Sequence, residues 1–176
     1  LAEVGLQQLT QVIGDTDQSA TDKLQRLFQE VVRRKREQKG LRLALFRVWY
    51  SDGNVVVRQR MESLMRVRIG GVLSNIIRQG GEEGVFETRH PDMTGRMVVA
   101  LLQGINDIFI EQWHAAGGSV DRRHVEQTVE AYNDAVERIL GVTAGSLPLL
   151  DPAQVWAVVE RPAGGEDDVQ PVAARA

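Results

Sequence analysis

The stretch that decides the fold is PDMTGRMVVALLQGINDIFIEQW, residues 91–113 of a 176-residue chain. Drawn as a helix, it carries apolar side chains around much of its circumference. A helix of that kind is covered on more than one side. We therefore predict a helix over 92–115 that has one face in a core and, around Ala100 and Gly104, a second side where another helix can approach closely.

Helical spacing of apolar residues recurs before and after this stretch, and no strand-like alternation is visible. Asp121 is a typical N-terminal cap, and Asp151 followed by Pro152 combines two helix-start signals. The segment 79–92 contains three Gly and a Pro and is predicted to be a loop. The predicted class is all-α, a bundle of about seven helices: 1–13, Ser19 or Thr21 to about 39, 41–51, 54–80, 92–115, 121–140 and 151–161.

Composition excludes several kinds of protein. The chain has no Cys, so disulfides, thiolate nucleophiles and Cys-based zinc sites are excluded, and a reducing cytoplasm fits. Its net charge of −3 and pI of about 5.7 differ from the pI above ~9 of free-standing DNA-binding domains. No apolar run approaches the ~20 residues of a membrane span. We predict a cytoplasmic protein that makes no membrane contact.

Catalytic and metal-binding patterns are also missing from the sequence. His90, His114 and His124 have no metal-ligand spacing with each other or with carboxylates. No specific Ser-His-Asp or paired-carboxylate pattern occurs, so neither an enzyme nor a cofactor is predicted. The basic run 33–36 is followed at once by Glu37 and is interpreted as the solvated end of a helix rather than a nucleic-acid contact.

Three segments carry a resemblance to a known family. They are LFRVWYSDGN (45–54), IIRQGGEEGVF (76–86) and the opening stretch, residues 91–113. In order and spacing, over roughly residues 1–140, they resemble the C-terminal regulatory domain of the TetR/AcrR family of transcriptional regulators. Each motif is weak alone, and the match rests on their succession.

The resemblance implies a TetR-type ligand-binding and dimerisation fold. It implies a homodimer, built through the last two main helices, and a small-molecule effector held among the middle helices. It also implies an N-terminal helix-turn-helix that binds operator DNA and would precede Leu1 in the intact protein. On this basis residues 1–141 are the effector-binding and dimerisation domain, 142–161 a connector with a C-terminal helix, and 162–176 a mobile tail.

The effector pocket is expected where polar groups lie in apolar surroundings. Trp49 and Tyr50 can be core packing or a pocket wall, since both carry a polar group that needs a partner when buried. Arg68 falls within the predicted apolar face of 54–80 and can pair internally, snorkel or face a ligand. Asn106 can be a satisfied interior amide or a group that orients a ligand. The candidate lining is Phe28, Phe46, Trp49, Tyr50, Met61, Met65, Arg68, Asn106, Phe109 and Trp113.

The dimer surface is expected on 92–115 and 121–140. The second helix has a narrow apolar stripe, which can cover a partner subunit or pack only within its own chain. The candidate interface residues are Ala100, Gly104, Val125, Val129, Tyr132, Val136 and Ile139. The predicted function is a regulator, most simply a repressor, whose operator affinity falls when a mainly apolar effector binds; the alternative is a helical dimerisation module with a filled core and no ligand.

Overall fold

The computed structural model describes residues 17–38, 55–116 and 119–160. Within these ranges the chain is all-helical, with five helices and no strand. They are α1 (Ala20–Glu37), α2 (Val55–Glu82), α3 (Pro91–Ala115), α4 (Arg122–Leu140) and α5 (Pro152–Val159). The predicted helices 1–13 and 41–51 and the predicted tail 162–176 lie outside the described residues. Five of the seven predicted helices are therefore found.

Local sequence signals set the helix starts as predicted. The Ser19 side chain accepts a hydrogen bond from the Asp22 backbone N–H and caps α1. Asp121 caps α4 through the His124 N–H, and Asp151 caps α5, which has Pro152 in its first turn. Gly141 ends α4 in the left-handed region, with φ of 69°.

The end of α2 differs from the prediction. Gly80 and Gly81 do not stop the helix, which continues to Glu82. A Cβ on Gly80 would lie 2.0 Å from the ring of Phe86, so the glycine makes room for an aromatic side chain folded back onto its own helix. The backbone N–H groups of Val85 and Phe86 then donate to the Gly80 carbonyl oxygen and close the turn.

The helices surround one apolar core. α2 and α3 form an antiparallel hairpin, α1 packs on α2 and α5, and α4 packs on α3 and α5. The most deeply buried side chains come from every helix except α5 and from the loop after α4: Leu24, Phe28, Leu73, Ile76, Ile77, Val98, Val125, Val129, Val136, Leu140 and Leu147. None of the helices in the described ranges is both long enough and apolar enough to cross a bilayer.

Among the side chains of α2 that the structure describes, those in the buried core lie in its C-terminal half. Leu73, Ile76 and Ile77 are buried, whereas Leu64 is 47% exposed and Val67 is 62% exposed. The sequence pattern predicted one continuous apolar face along this helix. Of that predicted face, Leu64 is exposed and the residues from Ile69 onward are buried or partly buried, while the side chains of Met61 and Met65 lie outside the described part.

Candidate ligand-binding region and dimer surface

The ten candidate ligand-binding residues divide by what the structure describes. Phe46, Trp49 and Tyr50 lie outside the described residues. Met61 and Met65 belong to α2, but their side chains lie outside the described part. The remaining candidates can be placed individually: Phe28, Arg68, Asn106, Phe109 and Trp113.

The two phenylalanines lie in the core. Phe28 is 2% exposed and Phe109 is 6% exposed, and both belong to the same buried apolar cluster. The Phe28 ring is tilted by 47° against the ring of Tyr132, with centroids 6.1 Å apart, a common geometry for packed aromatic pairs. The Tyr132 hydroxyl lies 3.4 Å from the Val98 carbonyl oxygen, and burial raises its pKa. These contacts are those of packed core side chains.

Asn106 is hydrogen-bonded through both ends of its amide. Its Oδ1 accepts from Lys35 Nζ at 2.7 Å, and its Nδ2 donates to the Leu102 carbonyl oxygen at 2.7 Å. The amide therefore ties α1 to α3. Lys35 was missed by sequence reasoning because it sits in a basic run that looked uniformly solvated.

Two arginines of that basic run, Arg33 and Arg34, are paired with acids of the same helix. Glu30 accepts from both Arg33 and Arg34, and Arg33 also reaches Glu37. The hydrogen bond from Arg33, with a further one from Arg34, lowers the pKa of Glu30 to about 2. The run is a salt-bridged end of α1 with one lysine turned toward α3.

Arg68 is exposed, which corrects the prediction that it lies within a buried face. Its neighbours Leu64 and Val67 are themselves exposed, so the guanidinium avoids the desolvation that the sequence pattern implied. Trp113 is partly buried on α3. Arg66, two residues before Arg68, donates to Gln103 Oε1 at 2.9 Å and joins α2 to α3.

A groove of about 340 Å³ lies beside the C-terminal end of α2. It is formed by the start of α1, the loop after α2 and the loop after α4. No sequence pattern predicted this groove, because its walls are turns that come together only in the folded chain. Its lining residues are Thr21, Gly84, Val85, Phe86, Glu87, Gly141, Val142, Thr143, Ser146 and Leu147.

Buried polar side chains hold the walls of this groove. Glu137, 4% exposed, accepts hydrogen bonds of 2.7 Å from the backbone N–H groups of Gly145 and Leu147. Asn133 accepts from Leu149 and Leu150 and donates to the Leu150 carbonyl oxygen. These hydrogen bonds occupy polar groups that a ligand could otherwise contact. We therefore interpret Glu137 and Asn133 as a loop clamp, a pair of side chains that holds the loop after α4 in place.

A second polar network joins α1 to the end of α2. Lys23 Nζ donates to Gln79 Oε1 at 2.8 Å, and Glu83 Oε2 accepts from the Ala20 backbone N–H at 2.9 Å. That backbone hydrogen bond lowers the pKa of Glu83, with the Gln79 amide as the second cause. A carboxylate at a helix N-terminus also complements the helix dipole. Within the described ranges no three His, Asp or Glu side chains gather where they could hold a metal ion.

The candidate dimer residues are not all at the surface. Val125, Val129 and Val136 are completely buried within one chain, Tyr132 is 4% exposed, and Ile139 is partly buried. These side chains have little accessible area left for a partner, so the stripe on α4 is core. The outer side of α4 is polar and includes Arg123, Gln127, Glu130, Asp134 and Arg138.

Ala100 and Gly104 lie on a surface that the described chain leaves open. Ala100 is exposed, and a Cβ built on Gly104 would meet nothing within 4 Å. The same side of α3 exposes Met93, Met97, Leu101 and Ile108, at 50%, 53%, 37% and 41%. Large apolar side chains at this exposure along one helix face are typical of an interaction surface.

Comparison with known proteins adds no relative, since no family model, curated protein or solved structure matches this chain.

Proposed function

We propose that this chain is the effector-binding and homodimerisation domain of a TetR-like transcriptional regulator whose operator affinity falls when a small, mainly apolar ligand binds. The proposal rests on the resemblance of the segments 45–54, 76–86 and 91–113, taken in order. The observation that supports its dimer half best is the exposed apolar row on α3 around Gly104. In this proposal operator DNA is bound through a helix-turn-helix, as the resemblance implies.

Effector action in this proposal is a population shift. A ligand lowers operator affinity only if it binds the released arrangement of the dimer better than the DNA-competent one. Asn106 and Lys35 are placed to take part because they link α1 to α3, so a ligand that replaces their 2.7 Å hydrogen bond would loosen that link. Phe28 and Phe109 would form the apolar floor beneath them.

The test is ligand binding measured on the chain itself. Trp113 makes Trp fluorescence a direct reporter, and a panel of hydrophobic aromatic compounds should include one that quenches it saturably. The same compound should raise the unfolding temperature, by the equivalent of ~2.7 kcal/mol at one hundred times its Kd. Asn106→Leu should weaken that binding, whereas Asn133→Leu, in the loop clamp, is the matched control for a lost interior amide.

A second candidate function is a helical dimerisation module with a filled core and no ligand. It is favoured by the burial of Phe28 and Phe109 in the core and by the lining of the groove, which contains none of the predicted ligand-binding residues. A panel that gives neither quenching nor thermal stabilisation, from a chain that still dimerises, would select this second function.

A further inference from the structure

Two cations reach neighbouring positions on α3 where α1, α2 and α3 meet. Lys35 of α1 donates from Nζ to Asn106 Oδ1 at 2.7 Å, and Arg66 of α2 donates from Nη1 to Gln103 Oε1 at 2.9 Å. Residues three apart on a helix lie side by side, about 5–6 Å apart at Cβ, so the ammonium and the guanidinium approach α3 within one turn of each other. We name these four partly buried side chains the cation–amide cluster.

The hydrogen-bond acceptors within the cation–amide cluster are neutral. An amide oxygen accepts a hydrogen bond from a cation but carries no formal charge, and two cations held near each other repel. A carboxylate in the same place would make charge-assisted hydrogen bonds, which are roughly twice as strong as bonds to a neutral acceptor. Both cations would therefore gain by exchanging an amide oxygen for an anionic group.

The opposite end of α1 already has a lysine, an amide and a carboxylate together. Lys23 donates to Gln79 Oε1 at 2.8 Å. The Ala20 backbone N–H, the Gln79 amide and the charge of Lys23 together lower the pKa of Glu83 beside them. A ligand carboxylate at Lys35 would create the same combination of groups at the other end of the helix.

Apolar side chains lie next to the cation–amide cluster on all three helices. Each helix places a residue of the core cluster, or one packed against it, about one turn from its polar group: Val32 on α1, Ile69 on α2 and Leu102 on α3. A molecule held by the cations would thus have its remaining part against apolar groups. Because α1 packs on α2 and α5, the long side chain of Lys35 makes its link to α3, and such a link can change partner without repacking either helix.

We infer that the effector is a monocarboxylic acid with an apolar body, whose carboxylate is bound by Lys35 and Arg66 where α1, α2 and α3 meet. This inference rests on the effector-binding half of the proposed function and names the chemical class of its ligand. The carboxylate has two oxygen atoms, one for each cation. A single negative charge fits the site, since a dianion would lose more hydration on entering partly apolar surroundings.

Binding of the acid would change two links to α3 at once. The carboxylate takes Lys35 from Asn106 and Arg66 from Gln103, so hydrogen bonds between helices are replaced by hydrogen bonds to the ligand. The resemblance implies a dimer surface on α3 and α4. A ligand that alters how α1 and α2 hold α3 would therefore be coupled to the arrangement of the dimer.

The first experiment compares two acids with their own primary amides by isothermal titration calorimetry of the full chain. The probes are naphthylacetate with naphthylacetamide, and decanoate with decanamide; the members of each pair match in shape and differ in charge. At least one acid is expected to bind ~10-fold more tightly than its amide, because its carboxylate makes charge-assisted hydrogen bonds. Added salt should weaken binding of the acid and leave binding of the amide unchanged.

Substitutions then locate the site. Lys35→Met and Arg66→Met should each weaken binding of the acid at least ~10-fold and leave binding of the amide within about twofold. Lys23→Met and Arg78→Met are the matched controls, since they remove a lysine of α1 and an arginine that joins α2 to α3 at the other end of these helices. Both controls should leave the affinity for the acid within about twofold. Circular dichroism checks that each variant is folded.

Each outcome supports or overturns the inference. An amide that binds as tightly as its acid would overturn it, and the proposed function would stand with a neutral ligand. Acid binding that is lost in Lys23→Met or Arg78→Met but kept in Lys35→Met and Arg66→Met would place the anion elsewhere and overturn it too. If neither acid binds at ~1 mM, the inference is wrong, and the panel of hydrophobic aromatic compounds still decides whether the chain has an effector. The comparison of acid with amide uses the unaltered chain, so it holds even if a variant does not fold.

Discussion

Val129 of α4 and Val67 of α2 are the same residue type in the same kind of helix, but the first is completely buried and the second is 62% exposed. The contrast extends to the two regions around them. The apolar interior shared by the helices is closed, whereas the outer face of the α2–α3 hairpin presents apolar side chains to solvent. The interior accounts for the stability of one chain, whereas the outer face leaves apolar area exposed to solvent.

The largest expected effect tests this contrast with one charge placed in each region. Val129→Asp buries an unpaired carboxylate and should cost several kcal/mol, enough to lose the helical circular dichroism signal of a marginally stable domain. Val67→Asp should keep that signal, since its carboxylate stays hydrated in the monomer. Equal loss of helicity in both variants would contradict the assignment of interior and outer face.

A second pair concerns two glycines of α2. Gly80→Ala places a Cβ against the Phe86 ring and should destabilise the chain by about 1–3 kcal/mol, because the ring has to leave its site. Gly71→Ala meets open space and should stabilise the helix by ~0.5–1 kcal/mol, through the lower conformational entropy of the unfolded chain. Urea titrations measure the change in the free energy of unfolding for both variants. Changes of the same sign would refute the predicted difference between Gly80 and Gly71.

A third pair compares two glutamates of α4. Glu137→Gln keeps the shape but replaces one acceptor oxygen with a donor, so one of the N–H groups of Gly145 and Leu147 loses its partner. The expected cost is about 1–3 kcal/mol, with faster amide hydrogen exchange over residues 141–150. Glu130→Gln, on the exposed side, should change neither quantity measurably. Unchanged exchange in the first variant would show that the loop does not depend on the clamp.

The smallest effect is the pH dependence at Glu30. Its pKa is lowered from an ordinary 4.5 to about 2, so its contribution to stability is complete above pH ~4.5 and is lost as pH falls toward 2. Glu30→Gln should lower the unfolding temperature at pH 7 by no more than ~2–4 °C, and the gap should close in acid. Glu126→Gln, which has a single exposed partner in Arg122, is the control and should show a smaller gap. A gap that widened in acid would have the wrong sign for this ion pair.

Much of the fold could be read from local signals. The starts of α1, α4 and α5 follow from Ser19, Asp121 and Asp151, because a cap depends only on residues within one turn. The extension of α2 beyond Gly80 could not be predicted from the sequence. Gly80 makes room for the ring of Phe86, which lies six residues later and contacts Gly80 only once the turn has formed. Arg68 was misplaced for a similar reason: helical periodicity shows which residues share a face but not how far the core extends along it.

The candidate site was less predictable than the fold. The link between Lys35 and Asn106 joins residues 71 positions apart, and no local pattern connects them. The groove beside Phe86 is formed by the start of α1 and the loops after α2 and α4, which are far apart in the sequence. Asn106 was predicted to be either a satisfied interior amide or a group that orients a ligand. Its hydrogen bonds to Lys35 and to the Leu102 carbonyl oxygen favour the satisfied amide.

By itself the sequence determined the helical class, the boundaries of most described helices and the apolar stripe of α4, because periodicity and capping act over a few residues. Only the tertiary structure decided which apolar residues are covered. The stripe of α4 and the two sides of α3 look equally apolar in sequence, but burial depends on which neighbours the chain brings to each side. That decision separates a filled core from an open face.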